Sequence, residues 1–299
     1  MKKKIVFLTS LFLSLSTFGA DGNIDISNPE NVVVKDVNVL PEPDLILTYK
    51  KVDEAKIKDI KMKIYYPNGV KPKKPLPAAI FFGGGGWNSA NAKQFSMTSR
   101  VLADLGMVSI FADYRTKSTM GRDAPDVCVE DAKSAVRYVR ENAAELGVNP
   151  DMIATGGGSA GGHVAIATAL LDKFDSPKDN LEISCKPNLL LLYNPVMDNS
   201  EYGYGYTRVK KLFPDISPFH NLTKDVPPSL VMVGTLDTLC KAEMCKKYKE
   251  YLDANGVDCQ LYIFEGKKHS FFNPWSGKDI YLEVTNKVIA FLRKHKYLN

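Results

Sequence analysis

The sequence lacks a Cys-x-x-Cys pair, an excess of one charge and any internal repeat. Its five cysteines lie at positions 128, 185, 240, 245 and 259, so no zinc-binding or dithiol redox motif is predicted. The net charge of +5 includes three lysines within residues 2–4. Beyond residue 20, 36 basic and 34 acidic residues nearly cancel, which argues against nucleic acid as a partner. Hydrophobic residues at 44% are ordinary for a globular protein.

The N-terminus has the pattern of a secretory signal peptide. The basic residues 2–4 precede an apolar stretch over 5–15, and the small residues Gly19 and Ala20 follow. We therefore predict a signal peptide over 1–20, an exported protein that is periplasmic or secreted, and no stable membrane insertion, since the stretch is too short to span a bilayer. No cysteine follows the cleavage region, so a lipid-anchored form is not expected. The alternative interpretation is an apolar strand of the mature domain.

Patterns of alternating and helical periodicity predict one α/β domain over residues 45–299. Residues 21–44 are polar, with three prolines, and we expect an exposed N-terminal arm there. Strands are predicted at 45–52, 57–66, 77–82, 107–112, around 153, and at 189–193, 230–233 and 259–264. Helices are predicted at 95–105, 127–146, 164–171, 242–254 and 280–295. The alternation of strands and helices indicates a mostly parallel sheet covered on both faces, with functional groups at the carboxyl ends of its strands.

The segment Gly157-x-Ser159-x-Gly161 has the spacing of a nucleophile elbow. An apolar strand precedes it, a helical run follows it, and small residues surround the serine. Such a turn is sharp and strained, and it lifts the serine hydroxyl out of the sheet, where a base can take its proton. The alternative is a glycine-rich loop with a structural serine.

A serine nucleophile needs a base and a group that orients the base. Among the four histidines, His269 lies between the last predicted strand and the last helix, which places it in a loop at the same edge of the sheet. Asp237 follows a buried strand through Gly234, which also puts it at a carboxyl end; a helix N-cap is its alternative role. We expect packing or capping for His163, a non-catalytic place for His220, and a solvated His295.

Asp198 is a weaker candidate for the orienting acid. The order Ser159, Asp237, His269 along the chain is the nucleophile–acid–base order of one hydrolase fold.

A second glycine-rich loop covers residues 83–86 and follows the strand predicted at 77–82. Glycines let the backbone approach a substrate and direct N–H groups at an oxyanion. We assign Gly84, Gly85 and Ala160 as the backbone donors of an oxyanion hole. A phosphate-binding loop is the competing interpretation, but the lysine and Ser/Thr that end such a loop are missing.

Taken together, these residues resemble an α/β-hydrolase of the esterase/lipase group related to hormone-sensitive lipase, and more narrowly exported bacterial acetyl esterases of the acetylxylan and feruloyl esterase type. The resemblance covers roughly residues 45–295. It implies a sheet of about eight strands and assigns Ser159, Asp237 and His269 as the catalytic triad. It departs at Gly83, where the family often has histidine. Asp113 and Arg115, which belong to the shared motifs, are expected to make structural polar contacts.

The resemblance and the predicted export suggest a serine esterase for short acyl esters, with a small-molecule or polysaccharide ester as substrate and no metal or organic cofactor. A short insertion at about 198–226 is expected to wall the pocket. Its Tyr202, Tyr204 and Tyr206, with Trp87 beside the glycine loop, are candidate substrate contacts. The tyrosines are equally consistent with surface aromatics. A peptidase of the same fold and an inactive binding protein on a hydrolase scaffold remain the alternatives.

Overall fold

A computed structural model describes residues 23–26, 28, 32–54 and 56–299 of the protein. The predicted signal peptide at 1–20 lies outside these described residues. The strands are β1 (Ile24–Asp25), β2 (Val33–Val34), β3 (Leu45–Glu54), β4 (Ile57–Tyr65), β5 (Leu76–Phe82), β6 (Val108–Ala112), β7 (Val148–Gly158), β8 (Leu189–Tyr193), β9 (Ser229–Gly234) and β10 (Cys259–Phe264). The α-helices are α1 (Lys93–Asp104), α2 (Lys117–Met120), α3 (Pro125–Glu141), α4 (Ala143–Leu146), α5 (Ala160–Leu170), α6 (Tyr206–Val209), α7 (Ala242–Ala254) and α8 (Lys278–Lys294). Short 3₁₀ turns occupy Pro67–Gly69, Pro218–Asn221 and Pro274–Ser276.

Strands β3 to β10 form one eight-stranded sheet in the order β10-β9-β8-β7-β5-β6-β4-β3. The pairs from β10 through β6 are parallel, and only the pairs that involve β4 are antiparallel. This architecture confirms the predicted α/β-hydrolase fold with a mostly parallel sheet. The parallel order brings the carboxyl ends of β7, β8, β9 and β10 to the same edge of the sheet.

Both faces of the sheet are covered, and the alternation of side chains along each strand divides the core into two layers. In β5, Ile80 and Phe82 face one layer and Phe81 faces the other. The first layer is packed by helices α3, α5 and α7, and the second by α1 and α8. Strands buried on both sides read as continuous apolar runs, which is why residues 189–193 and 230–233 could be predicted as strands from composition alone.

The N-terminal arm is not wholly exposed, contrary to our prediction. Strands β1 and β2 pair as a small antiparallel ribbon. The side chains of Ile24, Val32 and Val34 are fully buried in the core layer that contains α1 and α8. The polar composition and the prolines of this segment masked three apolar residues, which pack onto the domain.

The helix predicted over 127–146 is two helices. Helix α3 ends at Glu141, because the backbone angles of the next residue, Asn142 (φ −99°, ψ 23°), leave the helical region, and the four-residue α4 follows. The predicted end of the helical segment at residue 146 is correct, because Gly147 takes the left-handed conformation (φ 71°) directly after α4.

A buried ion cluster joins the antiparallel part of the sheet to α3. The Asp131 carboxylate, fully buried, accepts hydrogen bonds from the backbone N–H, Nε and a terminal nitrogen of Arg115 at 2.7–2.9 Å. Lys50 of β3 lies 2.8 Å from the same carboxylate. Arg115 thus makes the structural contacts expected for it, and so does Asp113, which faces Lys63 at 3.5 Å.

His163 connects three parts of the molecule from a fully buried position on α5. Its Nε2 lies 2.8 Å from the Ile216 carbonyl oxygen of the 198–226 insertion, and its ring meets the Trp87 ring edge-on at 5.1 Å. Burial disfavours the charged imidazolium and lowers the pKa of His163 to about 4. The neutral ring is therefore a packing element, as the sequence suggested.

This buried histidine predicts a pH-dependent stability. In the unfolded chain His163 takes up a proton near pH 6.5, whereas in the folded protein it stays neutral until about pH 4. The unfolded state binds more protons than the folded state between these pH values. The free energy of unfolding therefore falls by up to about 3 kcal/mol as pH falls from 6.5 to 4. Urea unfolding at pH 7 and pH 4.5 measures this. His163→Gln should lose less stability across that interval than the wild type.

The control is His220→Gln, which removes an imidazole elsewhere in the chain. An equal loss of stability in wild type and His163→Gln between the two pH values would show that the neutral imidazole at position 163 does not matter.

Candidate active site

Ser159 sits at the strained turn between β7 and α5. Its backbone angles (φ 56°, ψ −119°) are unusual for a residue with a side chain, as the elbow pattern predicts. Close packing explains the neighbouring glycines: a Cβ on Gly161 would lie 2.1 Å from the Phe82 carbonyl oxygen, and one on Gly158 would lie 2.3 Å from the Phe272 ring. Only 7% of Ser159 is exposed. Ser159 is therefore recessed below the molecular surface, at the turn where the elbow pattern places it.

The structure brings Ser159, His269 and Asp237 into one hydrogen-bonded chain. The Ser159 Oγ lies 2.8 Å from His269 Nε2, and His269 Nδ1 lies 2.7 Å from Asp237 Oδ2. An ionised carboxylate only accepts, so Nδ1–H donates to Asp237, and Nε2 is left to accept from the serine hydroxyl. Ser159 and His269 are 110 positions apart in the sequence, and Asp237 and His269 are 32 positions apart. Each of the three residues lies in the loop after a different parallel strand.

The Asp237 carboxylate is held on both oxygens. Its side chain has no exposed surface, and its Oδ1 accepts hydrogen bonds from the backbone N–H groups of Leu239 and Cys240, both at 2.9 Å. These contacts close a turn over residues 237–240, and Asp237 does not have the alternative role of a helix N-cap, because the N-cap of α7 is Lys241. The turn before α7 therefore fixes one oxygen while the other faces His269.

Asn194, which was not assigned a role from the sequence, holds the histidine loop in place. It follows β8, is fully buried, and its Oδ1 accepts the backbone N–H of Ser270, the residue after His269, at 3.0 Å. Its own N–H donates to the Met232 carbonyl oxygen at 2.6 Å. The only sequence signal was an Asn-Pro pair at the end of a predicted strand.

Of the two oxyanion donors predicted in the glycine loop, one already has an acceptor within the protein. The N–H of Gly84 donates to the Oε1 of buried Gln94 on α1 at 2.6 Å, so this group is already satisfied and the assignment of Gly84 is corrected. Among the described residues, no acceptor faces the N–H of Gly85. The N–H of Ala160 is at the first position of α5, where no preceding carbonyl of the helix can reach it. Sequence reasoning missed Gln94 because nothing in a helical pattern marks a glutamine that turns back to a loop.

The remaining candidate residues lie elsewhere. Asp198 accepts the N–H of Ser200 at 2.8 Å and approaches His220 at 3.8 Å. Asp237 instead occupies Nδ1 of His269. His220 is hydrogen-bonded to Ser217 at 2.9 Å and is not part of the hydrogen-bonded series Ser159–His269–Asp237.

His295 is not solvated as predicted. It contacts Asp258 at 2.8 Å, and its ring packs on Phe291 with centroids 4.6 Å apart. The helical pattern of residues 280–295 could not show Asp258, which precedes β10.

A cavity of about 520 Å³ lies beside the three residues. One side is lined by residues 195–197 before the insertion and by residues 198, 200, 202–204 and 219–220 within it, and the other side by residues 238–241, 243–244 and 247. Ser159 and His269 do not line it, but both walls start next to the site: the Val196 N–H donates to the Ser159 carbonyl oxygen, and Thr238 follows Asp237. The expected role of the insertion as a pocket wall fits this position.

The four aromatic residues proposed from the sequence as substrate contacts have different positions. Tyr202, 81% exposed, and Tyr204 line the cavity. Tyr206 does not line it and packs on Phe213. Trp87 is only 1% exposed and supports Tyr204 from below, with ring centroids 5.4 Å apart. Trp87 is therefore corrected to a core residue behind Tyr204, because its side chain turns into the core, where it also meets His163.

Across the described ranges, none of the helices combines the length and the apolar character needed to cross a membrane.

Two protein families match consecutive parts of the chain: BD-FAE over residues 62–200 and the dienelactone hydrolase family over residues 202–295. The junction falls within the insertion.

Solved structures and curated enzymes extend this relationship. An esterase of Thermogutta terrifontis with propionate bound has a TM-score of 0.79 and 36% identity, over 87% of this chain and 96% of that one. The same esterase with butyrate bound has a TM-score of 0.78 and 34% identity over the same shares. Carboxylesterase NlhH of Mycobacterium tuberculosis is 29% identical over 93% of this chain and 91% of that enzyme.

A more distant similarity is to endo-1,4-beta-xylanase B of Butyrivibrio fibrisolvens, 25% identical over 68% of this chain but only 34% of that enzyme. The identity of 36% across almost the whole of a solved esterase agrees with the sheet order and with the contacts around Ser159. The chain belongs to the α/β-hydrolase family of esterases.

Proposed function

We propose that this esterase is a serine carboxylic-ester hydrolase that works through an acyl-enzyme on short acyl esters of carbohydrate. The observation that carries the serine mechanism is the continuous chain of two short hydrogen bonds from Ser159 through His269 to Asp237. Three side chains from distant parts of the sequence have no packing reason to align a hydroxyl, an imidazole and a carboxylate in this order. The chemistry of a nucleophile, a base and an orienting acid gives that reason.

In the first half of the reaction, His269 Nε2 takes the proton of Ser159 as Oγ attacks the ester carbonyl. The imidazolium that forms is stabilised by the Asp237 carboxylate at 2.7 Å and gives its proton to the departing alcohol. In the second half, water loses a proton to His269 as it attacks the acyl-enzyme, and the imidazolium returns that proton to Ser159 Oγ as the acid leaves. Asp237 stays ionised throughout.

The tetrahedral intermediate of each half places a negative charge on the former carbonyl oxygen. The N–H groups of Gly85 and Ala160 are the donors we propose for this charge, and the start of α5 adds the positive end of a helix dipole. Gly84 contributes through loop shape, because its N–H is held by Gln94. Fixed donors of this kind need no reorganisation when the charge appears.

The preference for short acyl groups rests on the crowding around the elbow and on the relatives. Phe272, 2% exposed, packs so closely on Gly158 that a methyl group at that position would overlap its ring. Trp87 fills the space beside α5. The Thermogutta esterase has been solved with propionate and with butyrate, both short carboxylates.

The carbohydrate half of the proposal rests on the cavity beside the site. Tyr202 exposes most of its ring at this cavity, where an aromatic face can stack on a sugar, and Asp198 and Lys241 add polar groups. The partial similarity to a xylanase supports the same substrate class. Export, proposed from the pattern of residues 1–20, would bring the enzyme to extracellular polysaccharide.

The nucleophile can be tested by labelling. A fluorophosphonate probe should label the wild type on Ser159 and leave Ser159→Ala unlabelled, and the variant should lose turnover of nitrophenyl acetate by a factor on the order of 10⁶. Gel fluorescence and initial rates measure the two outcomes. Labelling of Ser159→Ala at the wild-type level would mean that another residue is the nucleophile, and absence of labelling in the folded wild type would favour the inactive binding protein.

The orienting acid can be tested against its rival. Asp237→Asn should lower kcat by a factor on the order of 10³–10⁴, because an asparagine amide can donate to Nδ1 and hold the imidazole in the wrong tautomer. Asp198→Asn is the matched control and should keep kcat within about tenfold, since Asp198 has no contact with His269. Steady-state kinetics on nitrophenyl acetate decides. The reverse ranking of the two variants would transfer the role to Asp198.

The proposed preference for short acyl groups predicts that kcat/KM falls as the acyl chain of the substrate becomes longer. On nitrophenyl esters, kcat/KM should be highest for acetate to butyrate and at least about tenfold lower for octanoate, because each surplus methylene has to displace packed side chains. Acetylated xylan should release acetate, and dipeptide amides should be inert. Best activity on the octanoate ester would contradict the proposed acyl site, and turnover of amides would favour a peptidase.

A further inference from the structure

Cys240 lies next to the catalytic pair but has no part in the reaction proposed above. Its sulfur, one carboxylate oxygen of Asp237 and one ring nitrogen of His269 all lie within 4.8 Å of one another. The Asp237 and Cys240 residues are about 95% buried, and the His269 side chain is 20% exposed. Thiolate, imidazole and carboxylate are the three side-chain ligands that Zn²⁺ accepts most readily in proteins.

We propose that Asp237, Cys240 and His269 form a binding site for a zinc-like divalent cation, and that an occupied site stops the hydrolysis proposed for the same residues. The inhibitory half of this inference rests on the proposed function; the binding half does not. Sequence analysis expected no metal because no Cys-x-x-Cys pair is present. The ligands of this site instead come from two loops that the fold brings together.

The geometry is close to that of a tetrahedral zinc site. Bonds of about 2.0–2.3 Å to such ligands separate neighbouring ligand atoms by roughly 3.3–3.8 Å. The three atoms lie within 4.8 Å of one another, so the widest separation must shrink by at most about 1 Å, which a small rotation of the Cys240 side chain can supply. The Asp237 Oδ2 and His269 Nδ1 atoms, now 2.7 Å apart, must instead move apart by roughly 0.6 Å. Water would complete the fourth position. Three protein ligands with one open position is a common arrangement for zinc.

The site is reachable from solvent along a defined path. Residues 238–241, Cys240 included, line the 520 Å³ cavity that opens beside the catalytic residues. Asp198 and Glu243 also line this cavity, and their carboxylates attract cations into it. Lys241 and Lys247 line it as well, and their positive charges repel cations. The cation therefore enters through the region that the carbohydrate would occupy.

Occupancy would disable the base through the position of one proton. The cation takes the lone pair of Nδ1, so the ring proton moves from Nδ1 to Nε2, and the Cys240 thiol releases its proton to solvent. The hydrogen bond from Nδ1–H to Asp237 is lost, and Nε2 now carries a proton and cannot accept one from Ser159. The imidazole stays neutral in charge but has the tautomer that does not catalyse.

Binding is tested without any need for hydrolysis by using Co²⁺ as the probe and Ser159→Ala as the host protein. The complex should show the near-ultraviolet absorption of a cobalt–thiolate bond. The band should disappear in Ser159→Ala/Cys240→Ala. It should persist in Ser159→Ala/Cys245→Ala, the matched control, since Cys245 is 1% exposed and lies outside the cluster. No thiolate band in the host, or a band that survives the loss of Cys240, overturns the site.

Inhibition is tested on the active protein. Zn²⁺ should abolish turnover of nitrophenyl acetate reversibly, with recovery on addition of EDTA, and the inhibition constant, measured against each protein's own metal-free rate, should rise by at least about tenfold in Cys240→Ala. Cys240→Ser, which preserves volume, replaces it where the alanine variant does not fold. Equal inhibition of wild type and both variants contradicts the proposal. A cobalt band in a protein without esterase activity refutes only the proposed function.

Discussion

The hydrogen bond between Asp237 and His269 is the interaction on which the rest of the site depends. At 2.7 Å it fixes the imidazole so that its second nitrogen lies 2.8 Å from the Ser159 hydroxyl. Neither contact is local in sequence. They exist because β7, β9 and β10 run parallel and end at one edge of the sheet, so that the loops after these three strands meet.

The surroundings of this contact consist of polar groups that are each held by a second partner. The turn before α7 fixes Asp237 through two backbone N–H groups, Asn194 fixes the loop that carries His269, and Gln94 shapes the glycine loop. Such support is what keeps a recessed hydroxyl aligned with its base. The same packing places Cys240 against Asp237 and His269. The three side chains then form the set of ligands that we propose for a zinc-like cation.

Much of the architecture was predictable from sequence, and for physical reasons. Buried parallel strands leave apolar runs, and helices leave a 3.6-residue period, so element types and the three site residues followed from pattern and position at strand ends. Contacts set by tertiary packing did not follow. No local pattern shows that Gln94 binds the Gly84 N–H or that Trp87 turns inward. Burial of Ile24 and Val34, and pairing of His295 with Asp258, likewise depend on distant residues.

The hydrogen-bonded series Ser159–His269–Asp237 is proposed to activate the Ser159 hydroxyl, which then takes the acyl group from the substrate. This proposal is tested most directly by quenching the enzyme in acid during turnover of nitrophenyl acetate and mapping the modified peptide by mass spectrometry. The account predicts one acetyl group on Ser159, accumulating within the first turnover and lost again when substrate is exhausted. An acetyl group on a different residue, or hydrolysis that proceeds with no covalent intermediate where release of the acid is rate-limiting, would contradict it.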